Sequence, residues 1–126
     1  MSKPRILVAR AIFSDIVDRL REHFDVEANP DDVIWTQQEL AERLADKDGV
    51  LTTGSQSVDA ALLAAAPRLK ICANMAVGYN NFDVDAMTAA GVQGTNTPDV
   101  LTETTADFGF ALLMATARRL TESEHY

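Results

Sequence analysis

Short runs rich in aliphatic residues alternate with segments of helical periodicity along the chain, and this alternation restricts the fold more than any other feature. Residues 5–9 read as a first strand. Ser14 is placed to cap a helix on which Ile16, Val17, Leu20 and Phe24 fall at helical spacing. Residues 24–28 suit a second strand, followed by the loop Asn29-Pro30-Asp31-Asp32. Thr36-Gln37-Gln38-Glu39 has the pattern of a capping box, in which the Thr hydroxyl and the Glu carboxylate satisfy free N–H groups reciprocally, so a second helix is expected over 36–44. A third strand, 49–53, follows the turn Asp46-Lys47-Asp48-Gly49. An Ala/Leu helix over 59–65 is stopped by Pro67, and 69–74 reads as a fourth strand. A helix beginning at Asp83 ends at Gly91, a fifth strand covers 92–96, and a long helix runs from about Thr102 to Leu120.

Strands alternating with helices of this length predict an α/β fold, a parallel sheet with helices on both faces. Right-handed crossovers leave few topologies, and a five-stranded flavodoxin-like order is expected. In such sheets ligands sit beyond the carboxyl ends of the strands. Those ends fall at 10–13, 52–57, 75–81 and 96–100, where function is to be sought.

The 126 residues suffice for one domain with its own core, and an apolar content of 47% is ordinary for a globular chain. The longest apolar stretch, 108–117, is interrupted by Thr116 and too short to span a bilayer. Met1-Ser2-Lys3-Pro4-Arg5 leads into only a few apolar residues, so no signal peptide is expected. Cys72 is the only cysteine, which excludes an intrachain disulfide and favours a cytoplasmic setting. A formal net charge of −8 with scattered acids argues against nucleic acid as a partner. The one basic cluster, Arg118-Arg119, suits a helix C-terminus facing the helix dipole.

Three loops at the carboxyl ends carry candidate chemistry. In 75–81, Gly78 can adopt a positive φ and has no side chain to block a ligand. The N–H groups of Val77 and Gly78 could then form a nest for a carboxylate; the alternative is an ordinary strand-to-helix turn. Thr52-Thr53-Gly54-Ser55-Gln56-Ser57 could offer hydroxyl and backbone donors to a small polar substrate, or be turn chemistry alone. The segment 96–107 opens the last helix, whose N-terminus suits an anion or the edge of a cofactor; alternatively Asp99 or Thr102 merely caps it. Residues 108–117 are apolar nearly all round, which implies a neighbour. His23 and His125 lack a local acid or cysteine partner, Cys72 reads as a buried inert thiol, and no metal-ligand spacing occurs. No G-x-G-x-x-G and no Walker-type loop is present.

Two segments together carry a resemblance. Val77-Gly78-Tyr79-Asn80-Asn81-Phe82-Asp83-Val84-Asp85, and Asn96-Thr97-Pro98-Asp99-Val100-Leu101-Thr102-Glu103-Thr104-Thr105-Ala106-Asp107 leading to Ala117-Arg118-Arg119, resemble the substrate-domain motifs of NAD(P)-dependent D-2-hydroxy acid dehydrogenases, above all the glyoxylate/hydroxypyruvate/2-ketogluconate reductase branch. The resemblance covers the whole chain in order. It implies that the backbone of Val77 and Gly78 grips the substrate carboxylate, that Gly54 and Ser55 line the cleft, and that Thr105 touches the dinucleotide, NADPH or NADH. It implies further a substrate (catalytic) domain over 1–100 and an interdomain helix over 101–126, leading to a Rossmann domain. In the family that domain carries the glycine-rich phosphate loop and then the catalytic Arg, acid and His. By the resemblance these are expected beyond Tyr126, as is a C-terminal helix that returns to complete the substrate domain.

The chain is therefore expected to be a fragment, inactive alone and binding no dinucleotide firmly. The parent would be a homodimer acting on a small 2-oxo or 2-hydroxy acid, and the fragment would be prone to self-association. Two positions depart from the pattern. The family often has Gly where Ala76 stands, a position at which the reductase branch tolerates small residues, and Asp where Asn80 stands, which keeps the shape and removes a charge. The alternative reading is a non-catalytic, dinucleotide-sensing or regulatory protein of the same ancestry. A phosphorelay receiver is excluded because Arg10-Ala11-Ile12-Phe13 and Thr52-Thr53-Gly54 stand where it needs acids, and a flavodoxin because no phosphate loop follows strand one.

Overall fold

The computed structural model describes residues 2–125. Met1 and Tyr126, the outer ends of the two segments expected from the sequence, lie outside the described residues. Five strands, β1 (Arg5–Val8), β2 (Asp25–Ala28), β3 (Gly49–Thr52), β4 (Ile71–Asn74) and β5 (Gln93–Thr95), form one sheet in the order β2-β1-β3-β4-β5. Every pairing is parallel, with Leu7, Val50, Cys72 and Gly94 side by side across four strands. This is the expected flavodoxin-like order, and each strand is one or two residues shorter than its sequence pattern.

Four helices make the crossovers: α1 (Ser14–His23), α2 (Gln37–Leu44), α3 (Ala60–Ala65) and α4 (Val84–Ala90). Right-handed connections place α1 on one face of the sheet and α2, α3 and α4 on the other. The core lies on the second face. Leu7, Val50 and Cys72 from the strands meet Leu40 and Leu44 of α2, Leu62 and Leu63 of α3, and Met87 of α4. Leu7, Leu44 and Cys72 are 0% exposed, and burying each such leucine contributes about 1.5–3 kcal/mol. The opposite face is thinner. Val8 and Val17 are buried there, whereas Ile71 remains 38% exposed on β4.

Local chemistry explains most boundaries. The capping box at α2 is present: the Thr36 side chain accepts from the Glu39 N–H, and the Glu39 carboxylate accepts from the Thr36 N–H at 2.8 Å. Asp59 and Asp83 cap α3 and α4 by accepting from Leu62 N–H and Ala86 N–H. Gly91 ends α4 in the left-handed region, at φ 68°, where glycine carries no Cβ penalty. Ser14 does not cap α1. Phe13 occupies the N-cap with no side-chain hydrogen bond, and its carbonyl accepts from Ile16 and Val17 N–H, so the chain enters the helix one residue earlier than the serine pattern implied. Of the four apolar α1 positions only Val17 is fully buried.

The turn before β3 also holds more than turn chemistry. Lys47 is 4% exposed, and its ammonium lies 2.9 Å from Glu27 and 2.5 Å from Asp46. Burial opposes its charge, but hydrogen bonds to Asp46 and Glu27 outweigh that and raise its pKa.

Helix α5 (Thr102–Ala117) follows β5. It stops three residues before Leu120 because Arg119 adopts φ 50°, and a short α6 (Leu120–Ser123) succeeds it. Arg119 is paired with Glu122 rather than spent on the α5 carboxyl end. No residue of α5 is buried. No helix of the described residues is long and apolar enough to cross a membrane.

Candidate functional site

Parallel strands bring the loops after β1, β3, β4 and β5 to one edge of the sheet. The loop after β4 is anchored carbonyl by carbonyl. Ala76 O accepts from Thr97 N–H at 2.9 Å, Val77 O from Asn96 Nδ2 at 2.7 Å, and Gly78 O from Asn74 Nδ2 at 3.0 Å. A trans peptide is planar, with its C=O and the following N–H pointing opposite ways. Fixing these three carbonyls therefore fixes the N–H groups of Val77, Gly78 and Tyr79. None of the three donates to a partner among the described residues.

This arrangement differs from the nest expected at Gly78. Gly91 is the one described glycine with φ in the left-handed region, and Gly78 is not there. The donors are presented because their carbonyls are tied back on the other side, not because a left-handed residue turns the chain. A Cβ built at Gly78 would meet nothing within 4 Å, so what the missing side chain leaves is open approach from outside.

The loop after β3 lies against this one: a Cβ on Gly54 would come 3.8 Å from the Ala76 Cβ. Gly54 and Ser55 are exposed, and their N–H groups also lack partners among the described residues. The Ser55 hydroxyl bonds to Thr53 Oγ1 at 2.9 Å and accepts from Gln56 Nε2 at 2.9 Å and from Arg10 Nη1 at 3.1 Å. Arg10, just beyond β1, grips Asp32 with Nε and Nη2 at 2.7 and 2.6 Å. Asp32 also accepts from Ala11 N–H at 2.9 Å. The guanidinium hydrogen bonds and that N–H hold the Asp32 carboxyl down at about 2.

Val77 and Thr105 line one open hollow of about 530 Å³ with Leu101, Thr102 and Ala106. The predicted substrate and cofactor positions thus share a surface. Neither Asp99 nor Thr102 caps α5: the N-cap is Leu101 with no side-chain hydrogen bond, and Asp99 sits at φ 65°. The Glu103 and Thr104 N–H groups have no partner among the described residues. Free N–H groups in a first helical turn can receive an anion, and the six glycines of the chain form no G-x-G-x-x-G.

Other residues singled out in the sequence stay apart from this edge. Cys72 is enclosed in the core, and burial pushes its thiol up to about 12. His23 is exposed beside Phe24 on α1. No cluster of His, Cys, Asp and Glu that could hold a metal ion occurs among the described residues. Sequence reasoning passed over Arg10, Asp32, Asn74 and Asn96 and gave Asn81 no role; the last two stand inside the motif segments, which was the available signal.

Comparison with known proteins gives this edge a context. The model of the D-isomer specific 2-hydroxyacid dehydrogenase catalytic domain matches residues 6–122. The chain belongs to this family. It is 45% identical over 124 residues to a glyoxylate reductase of Thermococcus kodakarensis and 48% identical to one of Thermococcus onnurineus. Both alignments cover 98% of this chain and 37% of the relative, so the chain spans little more than a third of those proteins. A solved Thermus thermophilus protein superposes with a TM-score of 0.84 at 37% identity, over 97% of this chain and 39% of that one. An NADPH-dependent glyoxylate/hydroxypyruvate reductase from Sinorhizobium meliloti, solved with NADP and malonate, gives 0.71 at 36% identity, over 91% and 34%.

Proposed function

We propose that this chain is the substrate-binding part of an enzyme that reduces a small 2-oxo acid, such as glyoxylate, hydroxypyruvate or 2-ketogluconate, to the D-2-hydroxy acid with NADPH or NADH. The observation that carries this reading is the run of anchored N–H groups at Val77 and Gly78, beside those of Gly54 and Ser55, none with a partner among the described residues. Fixed backbone donors need no reorganisation to receive a carboxylate, and they are neutral, so a substrate meets them without displacing an ion pair. The reductases named among the relatives, and the malonate in the Sinorhizobium meliloti complex, agree in chemical class.

In this reading Val77 and Gly78 bind one carboxylate, and Gly54 and Ser55 bound the cleft. Thr105 touches the cofactor's edge from α5 across the shared hollow. A bound nicotinamide supplies the hydride. Residues 1–100 act as the substrate domain and 101–126 as a connection to a separate Rossmann domain, which also brings the proton donor. The parent is a cytoplasmic homodimer. The chain of 126 residues alone turns over no substrate and holds no dinucleotide firmly.

A titration of the isotopically labelled chain with glyoxylate, followed through resolved backbone amide signals, tests the cradle. Val77 and Gly78 signals should move saturably in the millimolar range, and uncharged glycolaldehyde should leave them in place. Movement spread evenly over the surface, or none, would refute the cradle. Oxidation of NADPH by the purified chain with glyoxylate would refute its inactivity.

A further inference from the structure

Below the two loops lies a buried polar cluster to which the family resemblance assigned no role. Thr52 and Asn74, at the ends of β3 and β4, are 1% and 2% exposed. The Thr52 hydroxyl donates to Asn74 Oδ1 at 3.0 Å. Asn74 Nδ2 spends its two hydrogens on Gly78 O and on Asn81 Oδ1, each at 3.0 Å. Asn81 Nδ2 donates to Gln56 O at 2.8 Å and Thr53 O at 3.3 Å. Carbonyl oxygens only accept, so Gly78, Gln56 and Thr53 dictate which way both amides face. One further link, Val58 N–H to Asn81 O at 2.8 Å, ties the same residue to the end of the β3 loop.

The partners in this chain of bonds belong to two loops, the one after β3 and the one after β4. Asn74 holds the β4 loop down through Gly78, and Asn81 holds the end of that loop against the β3 loop through Gln56 and Thr53. An apolar pair of the same size would fill the space and leave the Gly78 and Gln56 carbonyls without donors, so filling alone does not account for two asparagines here.

We propose that Asn74 and Asn81 are positioning residues: their amides lock the Val77–Gly78 donors and the Gly54–Ser55 donors into one fixed spacing. This rests on the carboxylate reading above. It specifies that the site takes an anion small enough to bridge the two loops, and that its affinity is set by two side chains that never touch the ligand.

The test uses the full chain with Asn81→Ala and with the near-isosteric Asn81→Asp, a half-buried position where folding can be checked by circular dichroism and thermal unfolding. Asn81→Ala should weaken glyoxylate by about tenfold or more and raise the picosecond-to-nanosecond mobility of residues 76–79, with the strands unchanged. Asn81→Asp should weaken it at neutral pH and recover part of the affinity as the pH falls, because a protonated carboxyl regains one donor. A filling role alone would not produce that pH profile. Glyoxylate bound equally by all three forms, with loop mobility unchanged, overturns the inference and leaves the cradle standing. Glyoxylate failing to shift Val77 and Gly78 in the unsubstituted chain overturns the cradle and this inference with it.

Discussion

Helix α5 presents Phe108 and Phe110, each 65% exposed, with Leu113 at 63%, Leu112 at 52% and Met114 at 41%. An aromatic side chain carries roughly 150–250 Å², so the five together leave about 500 Å² of apolar surface in water. Sixteen residues is also close to the length at which a helix without packing is marginal in water, so cover and helicity are coupled here. Two chains pairing through half of this surface on each would remove about 500 Å² in total, worth roughly 12 kcal/mol gross at ~25 cal/mol/Å². Lost translational and rotational freedom costs about 4–15 kcal/mol. The buried area also falls short of the ~1,200–2,000 Å² of stable complexes. Weak self-association is therefore expected, with dissociation constants from tens of micromolar to millimolar.

Replacing Phe110 and Leu113 together by Glu puts two charges one turn apart on the same helix face. The double variant should weaken association by at least about tenfold. Neither side chain reaches the core, so its unfolding free energy should stay within about 0.5 kcal/mol of the parent chain. Sedimentation equilibrium over a hundredfold range of concentration reads the first effect, and denaturant unfolding at low concentration reads the second. A parent chain that stays monomeric into the millimolar range, or a double variant that associates equally well, would refute the argument from exposed area.

Two further measurements probe the site and the core. The Asp32 carboxyl should titrate at about 2 by carbon NMR and move up toward its ordinary 3.8 in Arg10→Ala, since the Arg10 hydrogen bonds are the largest cause of its depression. The pairing then contributes its stability fully above pH ~4 and loses it as the pH falls through about 2, so a loop 10–13 that loosens between pH 7 and 5 would contradict it. The Cys72 thiol, held at about 12 by burial, should resist Ellman's reagent in the folded chain and react stoichiometrically in denaturant; prompt labelling under native conditions would show that β4 is not enclosed.

What the sequence made legible and what it hid follow from the range of the interactions involved. The alternation of strands and helices, the Thr36–Glu39 capping box and the Gly91 stop are written within a few residues of where they act, and each stands in the structure where the pattern put it. The Ser14 cap failed for a reason equally local: Phe13 O already accepts the first helical bonds, so the serine sits one place too late. Gly78 pointed to this loop by a cause the structure does not show. A glycine after a strand suggests a left-handed turn, and here the donors are aimed instead by Thr97, Asn96 and Asn74, at sequence separations of 21, 19 and 4 residues. The Asn81 amide reaches 25 residues back to Gln56, and Arg10 reaches 45 forward to Ser55. No periodicity reports bonds of that span, because they exist only once a parallel sheet has brought four strand ends to one edge. The sequence motif therefore locates the loop, and the geometry of its donors is a property of the assembled sheet. Substitutions at Asn74 or Asn81 should for that reason act on ligand affinity even though neither residue lies on the exposed surface of the cradle.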